Sequence, residues 1–176
     1  MEEYAMSLSE QIDTSKDFHL LGVSIGGMLA CEIADQLHPQ SLIIISSASS
    51  KFDLPRRYTM LQKFPIYEIV PGQVSKLGAY VLQPIVEYDR NDQKELFRAM
   101  LKDKDPLFLK RTIPMIINWE REISPKELVQ IHGERDRTLP LRHLEPDYII
   151  SDGSHMLTST KAALLKQLIL DVYQMP

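Results

Sequence analysis

Ser24 sits in the string Gly22-Val23-Ser24-Ile25-Gly26-Gly27. Before it, Phe18-His19-Leu20-Leu21-Gly22-Val23 is short, apolar and stopped by glycine, the pattern of a buried strand. After it the apolar positions change to helical spacing, with Leu29, Ala30, Ile33, Ala34 and Leu37 on one stripe. A serine at such a strand-to-helix turn matches G-x-S-x-G in the context that gives the pattern meaning. A turn this tight predicts a strained serine backbone, with side chains at Gly22 and Gly26 expected to collide with neighbouring elements. The hydroxyl is then presented at the positive end of a helix dipole, where developing negative charge is favoured. The spacing lacks G-x-G-x-x-G, which argues against a phosphate-binding loop.

A serine hydroxyl needs a base to take its proton, and the base needs a carboxylate to orient it. The expected chain order after such a serine is Asp or Glu, then His. Two later loops offer candidates, each after a strand-like run. The first is Ile131-His132-Gly133-Glu134-Arg135-Asp136-Arg137-Thr138-Leu139-Pro140, and the second is Asp152-Gly153-Ser154-His155-Met156. Asp53, after the strand-like run of residues 41–46, is a further carboxylate candidate. Glu134 and Asp152 read as solvated loop carboxylates and His132 as a structural residue at a strand end. His19, His38 and His143 have no partner motif. Cys31, on the shoulder of the helical stripe, reads as packed.

The elements that must position these residues follow from periodicity. Residues 2–12 read as a helix end, then come the strand before Ser24 and a helix to His38, which Pro39 stops. Ser41-Leu42-Ile43-Ile44-Ile45-Ser46 is a second buried strand, so strand, helix and strand form a βαβ unit with a parallel sheet. Strands resume at residues 128–132 and 147–150, and a helix over 159–173 presents Leu164, Leu165, Leu168, Ile169 and Val172 inward. Between them, residues 51–124 carry six prolines and the only tryptophan, Trp119. Helices are expected there over 93–102 and 106–122, the second kinked at Pro114. The chain thus divides into a core of residues 1–50 and 125–176 and a helical cap insertion over 51–124.

Composition narrows the function classes. At 176 residues, 44% hydrophobic and 25% charged, the chain has the make-up of one globular domain. A net charge of -4 leaves no basic footprint for nucleic acid. No apolar run approaches the ~20 residues of a membrane span. One cysteine excludes an internal disulfide and fits the cytoplasm. Nothing in the pattern implies a metal or an organic cofactor.

Together the strings GVSIGG, IHGERDRTLP and DGSHM resemble the nucleophile elbow, the H-G-x-x-D loop and the G-x-H loop of the α/β-hydrolase superfamily. The resemblance runs from about Tyr4 to Tyr173. It implies an α/β fold, a parallel sheet with flanking helices, with Ser24 as nucleophile, His155 as base and Asp136 as the acid. Some hydrolases of this fold place the acid where Asp53 stands. The resemblance also implies an oxyanion-binding N–H at Ile25 and a small-molecule acyl substrate.

The chain departs from the superfamily in its first residues. Only about seventeen precede the elbow strand, where earlier strands are expected, together with the loop that gives a second oxyanion N–H. Where tested, loss of one such donor costs about 10²–10³ in turnover. An N-terminally truncated piece of a longer enzyme is the preferred explanation. A bare sheet edge paired with a second copy, or a non-catalytic relative, are the others. The function expected is a serine hydrolase acting on an ester, thioester or related acyl bond. The alternative is a binding or interaction protein that keeps the fold without the chemistry. A nucleotide-binding or flavodoxin-like domain accounts for the βαβ unit but not for the later loops.

Overall fold

A computed structural model of the chain describes residues 1–65, 99, 102 and 106–173. Among the described residues four strands form one wholly parallel sheet in chain order: β1 (His19–Val23), β2 (Ser41–Ile45), β3 (Leu128–Gly133) and β4 (Tyr148–Ile150). The register aligns Val23 with Ile45, Ile45 with Ile131 and Ile131 with Tyr148, so the four strands end at one rim. Every loop that carries a candidate residue leaves from that rim.

β2 is apolar without alternation because both its faces are covered. Ile43 and Ile45 join Ile131, Ile150, Leu157, Leu165 and Val172 on one face. Leu42 and Ile44 meet Ala30, Cys31 and Ala34 of helix α2 (Ile25–Leu37) on the other. Alanines at the contact let α2 lie close to the sheet. Helix α1 (Glu2–Ser9) packs its Ala5 against Leu29 and Ile33 of α2, giving a third layer. His38 ends α2 in the left-handed conformation, with φ 48° and its N–H on the Ala34 carbonyl, just before Pro39.

Four expectations are corrected by the structure. The helix expected over 106–122 is α4 (Pro106–Ile117), which stops earlier. Trp119 Nε1 donates to Glu32 at 2.7 Å, and Arg121 forks onto Asp35 at 2.7 and 3.0 Å. Glu32 and Asp35 lie one turn apart on α2, and only an extended segment aims residues 119 and 121 at the same side. These contacts outweigh helical propensity. The closing helix is split at Lys161 into α5 (Leu157–Thr160) and α6 (Ala162–Tyr173). Leu164 lies off the inward stripe of Leu165, Leu168, Ile169 and Val172 and is 51% exposed. The first helix ends at Ser9 rather than residue 12.

Of the insertion, helix α3 (Arg56–Lys63) and α4 are described, and they pack on each other. Trp119 binds this region to the core, in a cluster with Met28, Ala48, Leu139 and Leu144. The helix expected over 93–102 lies outside the described residues, apart from residues 99 and 102.

Candidate active site

The turn between β1 and α2 has the strain its sequence suggests. Ser24 adopts φ 53° and ψ -124°, a conformation that an L side chain tolerates only when its surroundings enforce it. Here the enforcement comes from close approach of the backbone. A Cβ at Gly22 would lie 2.3 Å from the Gly26 carbonyl oxygen and 2.4 Å from Gly27 Cα. A Cβ at Gly27 would lie 2.4 Å from Ser47 Oγ, while one at Gly26 would meet nothing within 4 Å. The steric requirement therefore falls on Gly22 and Gly27, not on Gly26 as expected. Ser47, from the loop after β2, donates to the Ser24 carbonyl at 2.7 Å and braces the turn from below.

The loops after β3 and β4 are tied together by backbone bonds. Glu134 N–H donates to the Ile150 carbonyl at 3.0 Å and Arg135 N–H to that of Gly153 at 2.8 Å. This brings residues from distant parts of the chain into one row. Ser24 Oγ lies 2.9 Å from His155 Nε2, and His155 Nδ1 lies 2.7 Å from Asp136 Oδ2. A carboxylate only accepts, so Nδ1 carries the proton and Nε2 is left to accept from the serine hydroxyl.

Asp136 is almost wholly buried and fully engaged. Its Oδ1 accepts the N–H groups of Thr138 and Leu139, each at 2.8 Å. Burial pushes its carboxyl up, but hydrogen bonds from His132 and His155, the charge of His155 and the Leu139 N–H outweigh it. The carboxyl is held well below the usual carboxylate range.

His132 has more than the structural role expected of it. Its Nε2 lies 2.8 Å from the Leu139 carbonyl and 3.2 Å from Asp136 Oδ2, so Nε2–H donates to both acceptors. Its Nδ1 is buried and meets no hydrogen-bond partner among the described residues. The signal was present in the sequence: a histidine four residues before the carboxylate, across a glycine turn.

Asp53 is engaged elsewhere. Its Oδ2 accepts the Ser49 N–H at 2.6 Å, the Ser49 hydroxyl at 2.8 Å and the Ser50 N–H at 3.1 Å. The Ile25 N–H, at the first position of α2, has no acceptor within the helix. Cys31 is fully buried, and burial pushes its thiol up to about 12.

The architecture and the placement of these loops define the α/β-hydrolase fold. An α/β-hydrolase enzyme from a Medee basin deep-sea metagenome library overlays with a TM-score of 0.66 at 15% identity, over 99% of this chain and 71% of that one. An esterase from Exiguobacterium antarcticum gives 0.66 at 14% identity, over 97% and 72%. A meta-cleavage product hydrolase from Pseudomonas fluorescens IP01 gives 0.58 at 16% identity, over 89% of this chain and 64% of that one. The chain thus spans just under two thirds of the last of these and somewhat more of the others. No family model and no curated protein matches the sequence.

Proposed function

We propose that the chain is a serine hydrolase that cleaves an ester, thioester or related acyl bond through an acyl-enzyme. The observation that carries this reading is the unbroken relay from Ser24 Oγ through His155 to buried Asp136. Ser24 Oγ bonds to the substrate carbonyl carbon as its proton passes to His155 Nε2. The carbonyl oxygen takes the negative charge beside the Ile25 N–H and the α2 dipole. Collapse of this intermediate breaks the bond to the leaving group, which leaves with the His155 proton. Water then repeats the sequence on the acyl-enzyme and frees the acid. Asp136 holds the imidazole tautomer and stabilises its cation throughout.

The insertion over 51–124 serves in this reading as a cap that shapes the substrate pocket. Among the described residues the outer edge of β1 pairs with no strand and Leu21 is 44% exposed, which supports pairing with a second copy. Light scattering at micromolar concentration reads a dimer or larger species if so, and a clean monomer refutes the pairing. A cytoplasmic location belongs to the same proposal, and the single cysteine supports it. Among the described residues no helix is long and apolar enough to cross a membrane.

Hydrolysis of p-nitrophenyl acetate tests the chemistry. The wild-type chain is expected to turn the ester over above the rate of Ser24→Ala. Equal rates in the two proteins would refute the reading.

A further inference from the structure

A second convergence of chemistry lies outside the triad. Where α3 begins, the chain faces a 3-10 turn at Leu141–His143. A cavity of about 380 Å³ opens between them, lined by Pro55, Arg56, Arg57, Arg142 and His143. Among the described residues no carboxylate lines it, although the chain as a whole carries a net charge of -4.

The way these arginines are held is distinctive. Arg57 donates to the carbonyls of Arg137 and Thr138, and Arg142 Nε donates to His143 Nε2. Neutral acceptors orient a guanidinium without cancelling its charge. Other cations here are treated in the opposite way. Arg121 pairs with Asp35 and Glu32, Arg135 with Asp152, and Lys51 with Glu120 and Glu122. Among the described residues no carboxylate pairs with Arg56, Arg57 or Arg142.

Helix α3 adds to the positive field. Its first turn holds no acidic residue, and no side chain caps its N-terminus. Two arginines at the positive end of a helix dipole are unfavourable on their own. Like charges gathered at one cavity add repulsion. An anion bound there would relieve both effects, and guanidinium forks match the oxygens of phosphate and carboxylate groups. The volume, near the lower end of ligand pockets, suits a small molecule rather than a macromolecule.

We propose that the cavity between α3 and the Leu141–His143 turn binds the phosphate or carboxylate group of a small molecule through Arg56, Arg57 and Arg142. The proposal stands apart from the hydrolase reading, since binding is measured without turnover. Calorimetric titration of the full chain with inorganic phosphate, and separately with malonate, tests it. Chloride holds the ionic strength constant in both. Saturable one-site binding is expected in the wild type and in Lys166→Ala, whose lysine lies on α6. The double variant Arg56→Ser/Arg142→Ser is expected to bind at least ten-fold more weakly. Both arginines are exposed, so the double variant keeps the core intact. The stronger of the two anions identifies the group preferred. Absence of saturable binding by either anion, unchanged affinity in the double variant, or an equal loss in Lys166→Ala would each overturn the proposal.

Discussion

His132 donates to Asp136 Oδ2 from 3.2 Å, and that oxygen also accepts a hydrogen bond from His155 Nδ1–H at 2.7 Å. Two imidazoles therefore share one carboxylate oxygen, but with different constraints. His132 is wholly buried, and its Nδ1 meets no partner among the described residues. In the proposed hydrolysis the positive charge develops on His155, the imidazole that meets Ser24.

Removing the His132 donor concentrates the carboxylate charge on His155. His132→Phe should favour the His155 imidazolium and move the acid limb of kcat/KM to higher pH, because catalysis needs the neutral base. Loss of a hydrogen bond to a charged group should also cost about 1.5–3 kcal/mol of stability. His132→Gln keeps a donor and should stay closer to the wild type. An acid limb that does not move in folded His132→Phe contradicts this role.

Asp136 links the relay to acid stability. Its folded-state pKa is depressed, so its stabilisation is complete above the unfolded value of about 3.9. The stabilisation is lost as pH falls through the folded value. Asp136→Asn never has it. Urea unfolding should show a wild-type advantage at pH 7 that narrows by pH 3, and a constant gap would count against the assignment. Turnover of the variant should fall by about 10⁴.

The three glycines of the elbow should respond unequally. Gly27→Ala meets Ser47 and should cost about 1–3 kcal/mol. Gly22→Ala meets backbone atoms that cannot turn aside and should cost at least as much. Gly26→Ala meets open space in a helix and should be neutral or stabilising by up to about 1 kcal/mol. Urea midpoints rank the three, and Gly26→Ala as the most damaging would contradict the packing described.

Much of this arrangement was legible in the residue pattern because it is local. The apolar run Leu42 to Ile45 and the stripe on α2 predict a parallel βαβ unit from periodicity alone. The strings at Ser24, Asp136 and His155 each follow a strand, and the common rim follows from parallel strands in register. What periodicity could not reach depends on partners distant in sequence. Helix α4 ends at Ile117 because Trp119 and Arg121 reach Glu32 and Asp35, eighty-seven and eighty-six residues away. The glycine that matters is Gly27 rather than Gly26 because Ser47, from the loop after β2, occupies the space.

Cys31 offers a check on the core. With its thiol buried and pushed up to about 12, almost none is thiolate at neutral pH. A chromogenic disulfide reagent should leave the native protein unmodified and titrate one thiol after denaturation. Rapid reaction in the native state would mean that α2 does not pack on the sheet as described.

The most direct test of the relay is covalent capture of its nucleophile. A fluorophosphonate should add once to the wild-type chain, with peptide mapping placing the adduct on Ser24. Labelling should be abolished in Ser24→Ala and slowed by orders of magnitude in His155→Ala. An adduct on another residue, or labelling that persists in Ser24→Ala, contradicts the account.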